Sequence, residues 1–183
     1  MSETEVPPAF KLARSPGHLL HRAQQRAEEV FAASLGDDNV TLRQFAVLAA
    51  VSEKSGRTQT ELVRITGIDR STLADMMDRL EKKGLVAREK SDTDKRAKIV
   101  RLTGKGRTRL AEAAPHAAAA DSAILAALPK NKRRSFLGTL EALVVAIDTT
   151  AAEAEARAAM KDKRGKKDRK AKPVKDERKK LKR

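Results

Sequence analysis

The chain has 183 residues, a length that corresponds to one or two domains. It carries 40 lysine and arginine residues against 25 aspartate and glutamate residues, which gives a formal net charge of +15 at pH 7. It contains no cysteine, so disulfides, thiolate nucleophiles, cysteine-bound metals and thiol redox sensing are excluded.

The first 15 residues contain two adjacent prolines and no sustained apolar period, which predicts a flexible arm. The first ten residues, MSETEVPPAF, are acidic and lack the basic-then-apolar order of a secretion signal. No apolar run in the chain approaches the ~20 residues of a membrane span. We therefore expect a soluble cytoplasmic protein without a membrane partner.

Two helices are predicted next, because apolar residues recur at steps of three and four. The first begins at Pro16, a residue that a first turn tolerates, and ends before Gly36. The second begins at Thr41, where the run Thr-Leu-Arg-Gln has the form of a capping box, and ends at Ser55 and Gly56.

A tight pair of helices follows. Another capping box begins a third helix at Thr58, with Leu62 and Ile65 expected to point inward, and Gly67 ends it. Asp69 can cap a fourth helix over 70–83, whose buried stripe would be Leu73, Met76, Met77 and Leu80. Two helices joined by so short a turn form a helix-turn-helix, whose second helix can enter a major groove.

After Gly84 the pattern changes to two short strands, 85–89 and 98–102, with the polar loop 91–97 between them. A helix-turn-helix followed by such a hairpin is a winged helix. Thr103 is expected to cap a long alanine-rich helix that reaches about Leu128, with a kink or break at Pro115. A last helix is predicted from about Asn131 to residue 158.

This order of elements resembles the MarR family of bacterial transcription regulators over roughly residues 16–155. The run DRSTLADMMDRLEKKGLV, which begins at Asp69, looks like the family's recognition helix and the strand after it. The run DTDKRAKIVRLTGKG looks like its wing, with an acidic-x-Arg-Ala core at Asp94, Arg96 and Ala97. Both parts in order, with helices on either side, make the resemblance specific.

The resemblance implies a homodimer that is formed by the first, fifth and sixth helices. Each lobe would place its fourth helix in a major groove and its wing along the adjacent minor groove of a pseudo-palindromic site, with half-sites about 34 Å apart. The fold class is then mainly α, a winged helix with a two-stranded wing inside a helical dimerisation region. The expected domains are an arm (1–15), a dimerisation region (16–56 and 107–158), a winged helix (57–106) and a basic low-complexity tail (159–183) that is disordered in isolation.

Positive charge is concentrated in two regions, which points to a polyanion as partner. Residues 57–109 carry 15 basic and 8 acidic side chains, and residues 161–183 carry 14 basic and 4 acidic ones. Within the winged helix, the residues expected to contact double-stranded DNA are Thr58, Gln59, Thr60, Arg70, Ser71, Thr72, Asp75, Arg79, Lys95, Arg96 and Lys98.

Each group of these candidates has a chemical reason. Exposed residues in the first turns of the fourth helix can reach base edges, and the start of the third helix favours a phosphate. Lys95 and Arg96 can enter a minor groove, with Asp94 holding Arg96 or Arg88 in a fixed pose. The alternative is that Thr58 and Asp69 are only caps, that the arginines of the fourth helix pair with Asp75 and Asp78, and that the wing is a solvated hairpin.

Members of the family usually respond to small ligands, often aromatic acids, that bind between the dimer region and the DNA-binding lobe. The residues that would meet such an effector are His18, His21, Arg22, Arg43 and Phe45. The two histidines can equally be polar residues of the dimer interface. With three histidines and no cysteine in the chain, we predict no metal site and no cofactor.

The sequence therefore predicts a ligand-responsive transcriptional regulator, more often a repressor than an activator, whose effector is an aromatic acid or its CoA thioester. The alternative is an architectural, nucleoid-type protein that coats DNA with little sequence preference. The tail can add phosphate contacts or act only as a solubility segment. An enzyme is not expected, because no nucleophile setting, phosphate-binding glycine loop or HExxH motif is present.

Overall fold

The computed structural model describes residues 10–35, 40–90 and 98–170, with the backbone alone at residue 151 and from residue 155 onward. The described residues form two units, one that reaches Arg133 and one that begins at Arg134. The elements are a 3-10 turn (Leu12–Arg14), α1 (Pro16–Ser34), α2 (Leu42–Glu53), β1 (Arg57–Thr58), α3 (Gln59–Thr66), α4 (Arg70–Lys82), β2 (Val86–Lys90), β3 (Lys98–Leu102), α5 (Gly104–Ala126) and α6 (Lys130–Lys170).

The core of the first unit lies where α1 and α2 pack against α5. Phe31 of α1 and Val47, Leu48 and Val51 of α2 are fully buried there. The side chains that α5 buries are small, chiefly alanines such as Ala113, so the aromatic and branched side chains of its neighbours fill the space between the helices. This helical core supports the winged helix.

The predicted helix starts are confirmed by their caps. Thr41 begins α2, with its hydroxyl accepting from the Gln44 amide at 3.2 Å and its own amide donating to the Gln44 side chain at 3.1 Å. Pro16 is the first residue of α1, as its missing amide hydrogen allows. These reciprocal bonds satisfy amides that a helix leaves without intrahelical partners.

The helix-turn-helix is formed as predicted. Gly67 ends α3 with φ of +66°, a left-handed conformation that glycine adopts without strain, and Asp69 begins α4 two residues later. Leu73, Met77 and Leu80 bury one face of α4. The inward placement of Ile65 is wrong, since that side chain is 45% exposed while Val63 packs against the core instead.

The sheet has three strands rather than the two expected. The order is β1-β3-β2, and both pairings are antiparallel. Arg57 pairs with Val100 and Arg88 pairs with Val100 from the other side, so β3 is the central strand. The two residues of β1 were too few to give an alternation that sequence reasoning could detect.

The start of α5 is held against the end of α4. The Thr103 hydroxyl donates to the Gly84 carbonyl at 2.6 Å, and the Thr103 amide donates to the Leu85 carbonyl at 3.1 Å. A side chain on Gly106 would place its Cβ 1.9 Å from the same Leu85 oxygen. Only glycine therefore allows this approach. Farther along, α5 continues through Pro115 as one helix, so a break there does not occur.

The described part of the second unit is α6 from Arg134 onward, and this helix ends twelve residues later than the sequence suggested. Residues 159–170 were expected to be disordered, yet the helix continues to Lys170. Lysine and arginine make up seven of the twelve residues of this stretch, and both are good helix formers. Residues 171–183 of the predicted tail and residues 1–9 of the predicted arm lie outside the described residues.

Along α6, the segment Lys130–Ala154 is long and apolar enough to cross a membrane by length and composition, and none of its most apolar window is buried. The expectation that no stretch approaches a span is therefore wrong by this measure, because alanines fill the positions between larger apolar residues. Exposed side chains include Leu143, Val144 and Ile147. A helix that packs an apolar side against another protein surface has the same properties.

Candidate nucleic-acid interface

The exposed face of α4 carries the residues that were predicted to reach base edges. Arg70, Ser71, Thr72, Asp75 and Arg79 are all exposed, while the opposite face of the helix is buried. Among the described residues, no ion pair engages Arg70, Asp75 or Arg79. The alternative, in which the two arginines are neutralised by Asp75 and Asp78, is therefore not what the structure shows.

A cavity of about 520 Å³ lies beside this face. The start of α3 forms one wall, with Thr58, Gln59 and Thr60, and Arg70 of α4 and Lys98 of β3 line the rest with two apolar residues. Five of the predicted DNA-contacting residues, from three separate segments of the chain, thus surround one opening. Two cations and the amide end of a helix give this opening a positive potential.

Thr58 also has a structural role. Its hydroxyl accepts from the Glu61 amide at 3.2 Å, and its own amide donates to the Glu61 carboxylate at 2.7 Å. The bonds from the Thr58 backbone and hydroxyl lower the pKa of Glu61 below its ordinary value. Thr58 therefore caps α3 and also lines the cavity, and a cap of this kind does not exclude a contact with DNA.

Asp69 holds the first turn of α4 in the same way. Its carboxylate accepts from the Thr72 amide at 2.9 Å and from the Ser71 hydroxyl at 2.7 Å. Bonds from Thr72, followed by the bond from Ser71, place the pKa of Asp69 far below its ordinary value. Because the Ser71 proton is donated to Asp69, the Ser71 oxygen presents its lone pairs outward as an acceptor.

The tip of the wing, with the predicted residues Asp94, Lys95 and Arg96, lies outside the described residues. Its base is described and contains two arginine pairs. Arg88 contacts Asp78 of α4 at 2.6 Å, and Arg101 contacts Glu89 of β2 at 2.9 Å. Lys98 is exposed at the first position of β3.

A second cavity of about 540 Å³ lies between the helical core and the helix-turn-helix. Arg43 and Phe45 of α2 line it, together with Asp121 of α5, Thr72 of α4 and Asp69, which caps α4. Arg43 is paired with Glu28 at 3.1 Å. Of the five residues predicted to meet an effector, His18, His21 and Arg22 are not part of this lining; they lie on α1, with His18 half-buried and the other two exposed.

Comparison with known proteins gives the family. The profile of the MarR family matches residues 38–97. The repressor Rv2887 of Mycobacterium tuberculosis is 31% identical over 127 residues, which are 69% of this chain and 91% of that protein. The chain belongs to the MarR family.

Two solved MarR-family structures extend the match to three dimensions. BpsR of Bordetella bronchiseptica, whose DNA binding is regulated by 6-hydroxynicotinic acid, has a TM-score of 0.67 and 28% identity, covering 74% of this chain and 96% of its own. The repressor CouR bound to a 23-mer DNA duplex has a TM-score of 0.63 and 34% identity, covering 74% and 98%. The chain is thus a MarR-type DNA-binding transcriptional regulator with a winged helix fold.

Sequence reasoning missed Arg88 as a residue that joins the wing to the recognition helix of this MarR protein. It was considered only as a partner for Asp94. The signal was present in the alternation of β2, because Arg88 shares a strand face with the buried Val86. A cation at an inward position requires an anionic partner, and Asp78 and Glu81 of α4 supply the carboxylates.

Proposed function

We propose that this MarR-family regulator is a ligand-responsive repressor that binds a pseudo-palindromic operator as a homodimer. The winged helix, residues 57–106, would contact DNA, and the helices on either side would form the dimer. The observation that carries the proposal is the arrangement of Arg70, Lys98 and the start of α3 around one cavity beside the exposed face of α4. That arrangement suits a duplex, with α4 in the major groove and a phosphate near the cavity.

The first turn of α4 would supply the base contacts. Arg70 has the donor geometry for the N7 and O6 atoms of guanine. Ser71, whose proton is already donated to Asp69, would accept from an exocyclic amino group of adenine or cytosine. Asp75 can accept only from such an amino group, so it would select against bases that present acceptors. Arg79 and the wing residues Lys95 and Arg96 would contact the backbone and the minor groove.

Dimerisation is supported by apolar side chains that each unit exposes. Leu19 and Leu20 of α1 are 48% and 43% exposed, and Val144 and Ile147 of α6 are 56% and 57% exposed. Packing these surfaces against a second copy would remove them from water, which is the dominant favourable contribution in association. We propose this interface, rather than a bilayer, for the apolar segment of α6, with the protein acting on DNA in the cytoplasm.

The second cavity suits an effector. Arg43 can attract a carboxylate, Phe45 offers an aromatic face, and Asp121 can accept from a hydroxyl at the other end of the ligand. A hydroxylated aromatic acid has this pattern, as does 6-hydroxynicotinic acid, which regulates BpsR. A CoA thioester of such an acid is the other candidate, since CouR binds p-coumaroyl-CoA.

The same cavity provides a route from effector to DNA. Asp69 and Thr72 line it, while Arg70, which follows Asp69 in the first turn, lines the cavity on the DNA side. A ligand that disturbs the bond from the Thr72 amide to Asp69 would loosen the turn that presents Arg70 and Ser71. The effector would thereby favour a conformation of the dimer with lower affinity for the operator.

DNA binding can be tested with a duplex selected from a random-sequence library by the full-length protein. We expect one protected palindrome in a footprint and a fall in affinity of roughly 10- to 100-fold for Arg70→Ala, which is the discrimination expected of one bidentate arginine–guanine pair. Arg26→Ala on α1 removes the same charge from an exposed pair with Glu29 and should leave affinity unchanged. Equal decreases in both variants would contradict the assignment of Arg70.

An architectural role is the second candidate, favoured by the net charge of +10 within residues 161–183. The same footprint separates the two functions, because a protein that coats DNA would protect the duplex uniformly. The effector is tested by adding 6-hydroxynicotinate or p-coumaroyl-CoA to the complex. The effector site is supported if the added compound no longer releases DNA from the Arg43→Gln variant but still releases it from the Arg26→Gln variant. Unchanged release in both variants would refute the site.

A further inference from the structure

Arg88 lies at an unusual place for a cation. It is the central residue of β2, and its direct partner across the hairpin is Val100, which is buried. Val86, two residues earlier on the same strand face, is also buried. The Arg88 side chain is accordingly only 20% exposed. It therefore projects from the wing towards the core side of the lobe.

On that side, Arg88 meets two carboxylates of the recognition helix. Its Nη2 atom lies 2.6 Å from Asp78 Oδ1, and its Nε atom lies 3.6 Å from Glu81 Oε2. The two acids are one turn apart on α4, so the planar guanidinium spans the helix surface. The Nε atom is buried and has no hydrogen-bond partner among the described residues.

The ion pair described for the central strand of the wing, β3, lies away from α4. Arg101 of β3 binds Glu89 of β2 at 2.9 Å and donates to the Ser55 hydroxyl at 3.0 Å, next to the start of β1. This second pair ties the strands to each other and to the segment that follows α2. Among the described ion pairs, only those of Arg88 connect the wing with α4.

We propose that Arg88 is a positioning residue that fixes the wing relative to the recognition helix, so that the major-groove and minor-groove contacts are made together. This inference rests on the proposed placement of α4 and the wing on DNA. Without the pair, α4 still has its cap and its buried stripe, and the wing still has its strand pairing. What changes is the angle between them, which determines whether the wing tip reaches the minor groove while α4 is seated.

The test uses the full-length protein on its selected duplex and probes the two grooves separately. Methylation of guanine N7 reports the major groove, and hydroxyl-radical cleavage reports the minor groove. For Arg88→Gln we expect protection of guanine N7 to persist, protection of the flanking minor groove to disappear, and affinity to fall about tenfold, equivalent to about 1.4 kcal/mol. The slope of log K against log salt should become shallower by about 0.9 for each phosphate that the variant no longer neutralises.

Partner variants and a matched pair keep the test decisive. Asp78→Asn, on an exposed residue of α4, should reproduce the Arg88→Gln pattern. Glu81→Gln should have a smaller effect, because the contact of Glu81 with Arg88 is longer. Arg88→Lys, which keeps the positive charge, should retain part of the minor-groove protection that Arg88→Gln loses. Glu112→Gln removes a similarly exposed carboxylate from its pair with Arg109 on α5 and should change neither groove.

Three results are distinguishable. Loss of both protections together in Arg88→Gln and Asp78→Asn, with a matching fall in thermal stability, would show a structural role and overturn the inference. Unchanged protection in both variants would overturn it as well. Absence of minor-groove protection in the unmodified protein would instead refute the proposed placement of the wing, and the inference with it.

Discussion

Gly106 of α5 offers the sharpest test of the packing in the DNA-binding lobe. An alanine at this position would place its Cβ 1.9 Å from the Leu85 oxygen, 2.9 Å from the Leu85 carbonyl carbon and 3.3 Å from its Cα. These atoms belong to the backbone that joins α4 to β2, so no side-chain rotation can relieve the contact. Either α5 or the end of the recognition helix must shift.

The size of the effect follows from the groups involved. Overpacking a close contact costs about 1–3 kcal/mol. Displacing the Leu85 carbonyl also weakens its bond from the Thr103 amide, worth about 1 kcal/mol. Alanine gains up to about 1 kcal/mol in helix propensity over glycine. We therefore expect Gly106→Ala to lower the free energy of unfolding by about 2 kcal/mol, a fall in Tm of roughly 4–8 °C for a chain of this length.

Urea denaturation at fixed protein concentration measures this change, since dimerisation makes stability concentration-dependent. The matched control is Gly104→Ala, two residues earlier in the same turn, where an added Cβ meets nothing within 4 Å. That variant should be as stable as the unmodified protein or more stable. If Gly106→Ala were no less stable than Gly104→Ala, α5 would not approach the end of α4 closely enough to exclude a methyl group.

Three further results are expected. Asp69→Asn should lower the free energy of unfolding near neutral pH, and the loss should shrink as pH falls below about 4. The reason is that a carboxyl whose pKa is lowered by folding stabilises the fold at pH values above its unfolded-state pKa and loses that effect as it is protonated. Unfolding measured over a series of pH values checks this. Thr58→Ala should cost about 1 kcal/mol by removing the α3 capping box, measured by the urea midpoint with m unchanged. Truncation after Met160 should weaken binding at every sequence and flatten the salt dependence without altering the preferred site; a changed site in a binding selection would contradict the expected role of the basic segment.

The elements that sequence reasoning recovered are those with strong local chemistry. The starts of α2, α3 and α4 follow from caps at Thr41, Thr58 and Asp69, which form bonds within three residues of themselves. The exposed face of α4 follows from its buried stripe, since both are set by one helical period. Such local sequence signals predict the structure correctly because the bonds that they describe form between residues close together in the chain and do not depend on tertiary contacts.

What sequence reasoning missed depended on distant partners. Nothing near Arg57 indicates a strand, because β1 exists only through its pairing with Val100. The role of Arg88 required knowing that β2 turns that side chain towards α4. Likewise, the lining of the second cavity comes from four separate segments of the chain. Of the five residues that were predicted to meet an effector, only Arg43 and Phe45 are part of that lining. The predicted roles of Lys95 and Arg96 remain predictions.

The continuity of α6 has a consequence for how the basic segment could act. Lys170 lies sixteen residues after Ala154 in the same helix, a rise of roughly 24 Å at 1.5 Å per residue. A charged group at the end of a stiff helix stays at a nearly fixed distance from the start of that helix, whereas a charged group on a random coil takes up a wide range of distances. Its local concentration is therefore high at one distance and low elsewhere. Affinity should accordingly rise stepwise once the duplex is long enough to reach that distance, rather than gradually with every added base pair.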